Sequence, residues 1–243
     1  MSTLNLRFII TMAWYYGVKT IFRGPSYLIA SLATPLTLLF LVFVLSHGAL
    51  VKFAIVGGLI AFVGTVGLSG AGDSAFFRLQ LRIQDLYVPS KVSPFDYIAA
   101  FTLSYLVFSV PGIILYIYLG SVYHLFNSYD SVMMILVMLL LIISTTSISF
   151  IISGSIKHLR NIWGITGILT IITSILPPTF YPYGYVPKDF LYIIALSPTT
   201  PAAVVVQGAF GLSPMMDSMF YILIIETICY TILARILVRW REN

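Results

Sequence analysis

The sequence has little charge and almost no cysteine. Only 9% of its 243 residues are charged, whereas a soluble domain carries about 25%. So little charge cannot cover a water-facing surface, which excludes a soluble enzyme or a disordered regulator. The single cysteine, Cys229, cannot form an internal disulfide, which excludes a disulfide-stapled secreted module. With 59% hydrophobic residues and a mean hydropathy of +1.01, the chain is predicted to be an integral membrane protein.

Motifs for ATP hydrolysis, metal binding and catalysis are also missing. The Gly-Lys dipeptide of a phosphate-binding loop occurs nowhere. His47, His124 and His158 fall in three different connections, and no His-x-x-x-His or Cys-x-x-Cys pair is present to hold zinc. We therefore expect no catalytic residue, no metal and no cofactor in this chain. If ATP powers its activity, a separate subunit must bind the ATP.

Six apolar stretches are long enough to cross a bilayer, which takes ~20 residues of helix. The fifth stretch, Ile162–Leu176, is the shortest, and its helix is expected to begin before Ile162, near Leu159. Before them, Phe8–Val18 is too short to span and predicts a helix lying in the membrane interface. The sequence thus predicts an all-α polytopic membrane protein with six transmembrane helices: Tyr27–Leu45, Phe53–Ala71, Ile98–Leu119, Val132–Ile152, Ile162–Leu176 and Met219–Val238.

Positive charge is distributed very unevenly across these spans. With both termini in the cytoplasm, only Lys52 and Lys188 of the 13 Lys and Arg residues lie outside, as the positive-inside rule requires. A seventh span at Phe190–Phe210 would move the last three arginines outside. That stretch contains Pro198 and Pro201, which break a helix. It is therefore predicted to be a re-entrant outer segment, within a single transmembrane domain covering residues 1–243.

The longest cytoplasmic connection is predicted to contain an amphipathic helix, Ser74–Val88, capped by Asp73 or Ser74. One interpretation lays its apolar face on the lipid interface. The other interpretation makes it a coupling helix that docks on a soluble partner. In that case we expect charge reversal at Arg78 and Arg82 to uncouple the partner. The apolar face carries Phe76, Leu79, Ile83, Leu86 and Tyr87, and the charged face carries Arg78, Arg82 and Asp85.

Few polar groups lie within the spans. Glu226 is the one acidic residue there, and it is either a substrate contact or gate, or an interhelical hydrogen-bonding group. Small residues in span two, among them Gly57 and Gly64, favour close helix packing. Hydroxyl side chains along one stripe of span five are expected to form hydrogen bonds to carbonyls of their own helix. For the glycines of span two and for these hydroxyls, the alternative is that they line a transport pathway. That stripe is Thr166, Thr170, Thr173 and Ser174. Tyrosines near span ends, including Tyr15, Tyr16 and Tyr27, are expected to be interfacial anchors.

Two segments carry a family resemblance. Residues 86–93 read Leu-Tyr-Val-Pro-Ser-Lys-Val-Ser, which is similar to the Leu-Leu-Val-x-Pro-Val-Ser that precedes the third span of ABC-2-type permeases. Residues 177–200 resemble the Phe/Tyr-x-Pro…Pro…Pro pattern of the same family before span six, through Tyr181, Pro182, Pro187 and Pro198. The family often has an arginine where Gln207 stands here.

The resemblance implies a permease subunit of an ABC exporter in the cell membrane. It implies efflux of a drug, lipid or lipid-linked glycan by a homodimer. Two copies of a separate ABC ATPase, with ATP and Mg bound there, would drive it. In that family spans two and five border the translocation path. The alternatives are an ATP-independent channel or secondary transporter, and a non-transporting membrane anchor subunit. A membrane enzyme is disfavoured because no cluster of Asp, His or Ser lies near one interface.

Overall fold

The computed structural model describes residues 4–83, 92–125 and 128–237, and this part of the chain is helical without a β-strand. Five of its helices are long and apolar enough to cross a membrane. The prediction of an all-α polytopic membrane protein is therefore confirmed. In chain order the helices are α1 Leu6–Met12, α2 Lys19–Arg23, α3 Pro25–Leu45, α4 Val51–Leu79, α5 Pro94–Val122, α6 Ser128–Ser155, α7 Leu159–Ser174, α8 Lys188–Ile194, α9 Thr199–Ala209 and α10 Asp217–Leu237.

The predicted N-terminal helix is present and is longer than expected. A π-helical turn, Ala13–Val18, joins α1 to α2, and Gly24 then breaks the helix before Pro25 begins α3. The segment packs on α5, where a β carbon at Gly17 would lie 2.9 Å from the Ser104 carbonyl oxygen. The Asn5 N–H donates to Asp96 Oδ1 over 3.0 Å. Its outer face exposes Leu6, Ile10, Trp14 and Phe22, which agrees with a helix lying in the interface.

Helix α4 is the centre of the bundle. In the apolar stretch of α4, 83% of the residues are buried, whereas in that of α3 only 6% are buried. Helix α4 packs on α3, α5, α6, α7 and α9. Small residues along α4 allow these neighbours to approach on every side. Any pathway lined by α4 would therefore need to displace this chain's own helices.

The fifth predicted span is a short helix. Helix α7 begins at Leu159, as expected, and has 16 residues. At a rise of 1.5 Å per residue it is about 24 Å long, which is less than the ~30 Å of the hydrocarbon core. The total of six spans and the cytoplasmic location of both termini therefore stay predictions.

Between α7 and α10 the chain dips into the bundle and returns. Helices α8 and α9 are separated by a turn containing Pro198, so Phe190–Phe210 is not one continuous helix. Helix α9 has 11 residues, about 16 Å, which is too short to cross a bilayer. It is buried among α4, α6 and α10. This geometry agrees with the predicted re-entrant segment.

The predicted start of the amphipathic coupling helix is wrong. Helix α4 continues without a break through Asp73 and Ser74 to Leu79. Neither side chain caps a new helix, because Asp73 bonds to Tyr105 and Ser74 to Ser153 on neighbouring helices. The later residues of the predicted coupling helix, Asp85, Leu86 and Tyr87, lie outside the described residues.

Candidate functional site

Arg78 lies inside the bundle and not on a docking face. Its side chain is 5% exposed, and Nη2 donates to the carbonyl oxygens of Ser153, over 2.6 Å, and Ile156. Carbonyls at the end of α6 lack intrahelical partners, and a cation at this end is favoured by the helix dipole. The prediction that Arg78 lies on a docking surface is therefore wrong, because its guanidinium group binds carbonyl oxygens at the end of α6.

Three apolar residues assigned to the coupling helix lie within the described residues, and these also pack inward. Phe76 and Ile83 pack against the main core, and Leu79 packs beside Ile162 of α7. Leu81 and Arg82 differ because both are exposed. Arg82 has a φ of 48° and lies in the turn that follows the end of α4 at Leu79. Among the described residues of this connection Gln80, Leu81, Arg82 and Phe95 are exposed, and Arg82 is the exposed cation.

The two candidate pathway glycines contact the outer segment. A β carbon at Gly57 would lie 1.5 Å from the backbone oxygen of Thr179, and one at Gly64 would lie 2.7 Å from Thr199 Cγ2. Thr199 also donates to the Thr173 carbonyl, which joins α9 to α7. The structure thus places both glycines in packing contacts between α4 and the re-entrant segment.

The hydroxyl stripe of α7 faces α4. Thr166 and Thr173 are buried, and Thr170 is half-buried. The Thr173 hydroxyl donates to the Leu169 carbonyl over 2.7 Å. The Ser174 hydroxyl forms a 3.1 Å hydrogen bond with the hydroxyl of Thr65, which belongs to α4. The opposite face of α7 is exposed and apolar. It carries Gly164 and Gly167, which have no atom within 4 Å of an added β carbon, together with Ile168, Ile171 and Ile172.

Glu226 is a buried carboxylate without a partner among the described residues. Its side chain is 8% exposed, and neither carboxylate oxygen has a hydrogen bond. The bond between α10 and α6 is made one residue later, where Thr227 meets Ser144 over 2.7 Å. The interhelical hydrogen bond considered for Glu226 is therefore made by its neighbour.

The side chain of Gln207 in α9 forms hydrogen bonds to several residues of the outer segment. Its Nε2 donates to the carbonyls of Pro178, over 2.6 Å, and Tyr181, over 3.0 Å. Its Oε1 accepts from the Tyr183 N–H over 3.1 Å and from the Ser213 hydroxyl over 3.2 Å. An amide can donate and accept in this way, whereas the arginine of the family pattern could only donate.

The prolines and tyrosine of the predicted outer motif lie in the loop and at the helix starts of the same outer segment. Pro182 and Pro187 flank the short helical turn Tyr183–Tyr185, and Pro198 precedes the first residue of α9. The Tyr181 hydroxyl donates to the Leu176 carbonyl over 3.0 Å. The structure thus places the three prolines at the starts of helical segments, and it joins Tyr181 to Gln207 through a hydrogen bond.

One polar cavity could not be foreseen from the sequence. It has a volume of about 200 Å³ and lies where α3 begins and α4 approaches its end. We call it the Asp73 cavity; its lining residues are Tyr16, Thr20, Tyr27, Asp73, Tyr105 and Phe108. These come from four separate helical segments, so no local motif marks them. The available signal was Asp73 itself, an acidic residue directly after an apolar stretch.

A comparison with protein families agrees with this architecture. The family of ABC-2 type transporters matches residues 10–211, from the N-terminal helical segment to the end of the re-entrant segment. No individual curated protein matches the sequence. The matched region includes the central helix α4, the hydroxyl stripe of α7 and the Gln207 unit. The chain belongs to the ABC-2 type transporter family and is a multi-pass permease of an ABC transporter.

Proposed function

We propose that this chain is the membrane subunit of an exporter that moves a hydrophobic or amphipathic solute outward. The proposed cargo is a drug, a lipid or a lipid-linked glycan. Two copies of the chain form the permease in the cell membrane, and two copies of a separate ABC ATPase bind ATP and Mg. The chain itself is not an enzyme.

The ATPase belongs to another chain because this sequence has no Gly-Lys dipeptide and therefore no phosphate-binding loop of the usual kind. Membership of the ABC-2 family implies an ABC ATPase partner. The exposed turn at Leu81 and Arg82 offers that partner an accessible, positively charged contact. ATP-driven motion of the partner reaches the bundle directly through α4, which ends beside this turn.

The surroundings of α4 carry the proposal of a two-copy pathway. Gly57 and Gly64 are covered by residues of the same chain, so a solute cannot pass along α4 within one copy without separating its helices. The exposed face of α7, with Gly164 and Gly167, has no such cover among the described residues. A passage between two copies therefore uses outer faces, and their apolar side chains suit a hydrophobic or amphipathic solute.

The first test is purification of the tagged chain from its native membrane in mild detergent, with crosslinking and mass spectrometry. We expect a stoichiometric soluble protein that carries a Gly-x-x-x-x-Gly-Lys-Ser/Thr loop, and crosslinks between two copies of the permease. Recovery of the chain alone after crosslinking would contradict the proposal. Cargo export by the complex in vesicles should then require ATP and stop in its absence.

Glu226 gives one observation in favour of a secondary transporter. A buried carboxylate without a hydrogen-bond partner suits a group that takes up and releases a proton or cation during transport. In that case transport persists in ATP-depleted vesicles, follows an ion gradient and is lost in Glu226→Gln. In the exporter we expect ATP dependence in both the wild type and Glu226→Gln. A non-transporting anchor would show neither activity.

A further inference from the structure

We propose that the Asp73 cavity binds an organic ammonium group, either the headgroup of a membrane lipid or a free cationic solute. The inference concerns binding by the permease itself and is independent of the ATP-driven export proposed above. It rests on the charge, the aromatic rings and the position of the cavity.

The charge in the cavity is a carboxylate without a counterion. Asp73 Oδ2 accepts a 2.7 Å hydrogen bond from the Tyr105 hydroxyl, and Asp73 has no ion pair with a described residue. Lys19 precedes Thr20 of the cavity lining in the chain, and its Nζ lies over the ring of Tyr15, 3.9 Å from the ring centroid. A half-buried carboxylate is stabilised when a cation comes close to it. The cavity therefore favours a positively charged ligand over a phosphate or a neutral one.

Aromatic rings make up most of the remaining wall. Tyr16 comes from the π-helical turn, Tyr27 from α3, and Tyr105 and Phe108 from α5. Ring contacts fix two of them: Tyr27 lies 5.3 Å from Phe108 and Tyr16 lies 4.9 Å from Phe77, measured between ring centroids. A carboxylate surrounded by aromatic rings is the chemistry that recognises amines and quaternary ammonium groups. Divalent metal ions instead require several oxygen ligands.

The size and position of the cavity fit such a ligand. Its volume of about 200 Å³ is far above the ~15 Å³ that one water molecule needs. Tyr105 and Phe108 are buried and form its floor, while Thr20 and Tyr27 are more exposed and form its mouth. The mouth lies beside Gly24, where the N-terminal helical segment meets α3. That junction is at the end of the bundle, where lipid headgroups lie if the N-terminal helix is interfacial.

The test measures binding to the purified full-length chain with whatever subunits accompany it. One arm uses radiolabelled choline, with a detergent and lipids that lack ammonium groups. The other uses native mass spectrometry after exposure to equal amounts of phosphatidylcholine and phosphatidylglycerol. We expect wild-type protein to bind choline or to retain phosphatidylcholine preferentially, and Asp73→Asn to lose on the order of tenfold in affinity or the whole preference.

The matched control is Asp189→Asn, which removes an exposed carboxylate at the start of α8 and should leave binding unchanged. A second pair leaves the half-buried carboxylate of Asp73 in place. Tyr27→Phe keeps an aromatic ring in the wall and should bind more tightly than Tyr27→Leu, which should bind more weakly than wild type by about threefold or more. If Asp73→Asn does not fold, judged by size-exclusion chromatography, the Tyr27 pair decides the question.

The two arms distinguish the sources of the ammonium group. Choline binding without a lipid preference identifies a free cation, and a lipid preference without choline binding identifies a headgroup. Equal binding by wild type, Asp73→Asn and Tyr27→Leu in both arms overturns the proposal. Because no ATPase is needed, loss of this proposal leaves the exporter untouched, and failure to recover an ATPase leaves the cavity untouched.

Discussion

The amide of Gln207 satisfies four groups of the outer segment with one side chain. It is buried, and its partners include the Tyr183 N–H and the carbonyls of Pro178 and Tyr181. Buried backbone groups that lose their partners cost about 1–3 kcal/mol each. A glutamine suits this position because the same side chain both donates and accepts. Arginine at 207 would leave the Tyr183 N–H without its acceptor.

We expect Gln207→Leu to destabilise the protein strongly, since it leaves several buried backbone groups without hydrogen bonds. The melting temperature in detergent should fall by on the order of 5 °C or more. Tyr185→Phe, in the same segment but exposed, is the control and should melt like wild type. An unchanged melting temperature in Gln207→Leu would show that the segment is held by other contacts.

At the scale of elements, the glycines of α4 determine how closely its neighbours pack. Gly57 meets the backbone of Thr179, which is part of a loop bonded to α7 through the Ser174 carbonyl. A backbone cannot move aside as the end of a flexible side chain can. Gly164 on α7 is the opposite case, because its added β carbon meets nothing within 4 Å.

Gly57→Ala should therefore lower the melting temperature by on the order of 5 °C, because overpacking of this kind costs about 1–3 kcal/mol. Gly164→Ala is the matched control, with the same added methyl group on a helix of the same bundle. Measured on the monomeric chain in detergent, it should leave the melting temperature unchanged or slightly raised, since alanine is the better helix former by ~1 kcal/mol. Equal losses in the two variants would contradict the packing described for α4.

At the scale of the whole molecule, the two arginines near the end of α4 have different roles. Arg78 bonds to the end of α6 inside the bundle, while Arg82 is exposed at the turn. A double charge reversal would therefore combine a folding defect with any loss of coupling. The single variant Arg82→Glu separates the two effects.

In the complex with its ATPase, Arg82→Glu should reduce cargo-stimulated ATP hydrolysis while the melting temperature stays close to that of the wild type. Lys188→Glu makes the same charge change at α8, on the other side of the predicted membrane, and should not affect coupling. Arg78→Glu should instead lower the melting temperature and the yield of inserted protein. Normal stimulation in Arg82→Glu would exclude the turn from the contact with the motor.

The sequence alone determined the features that depend on local composition. Apolar length predicted the membrane helices, and Pro198 with the charge distribution predicted that Phe190–Phe210 would not form a single span. The N-terminal helix and the start of α7 at Leu159 were also predictable. These features follow from hydrophobicity and backbone chemistry along the chain, which act without knowledge of neighbouring helices.

Which side chains meet depends on how the helices pack against one another. The sequence predicted that Asp73 or Ser74 caps a helix, and one of its two interpretations had Arg78 facing a partner, because neither helical periodicity nor capping rules include a competing group from a distant helix. Tyr105 and the end of α6 supply those competing groups. The unit around Gln207 and the Asp73 cavity arise in the same way, from residues far apart in the chain that packing around α4 brings within hydrogen-bond or ring-contact distance.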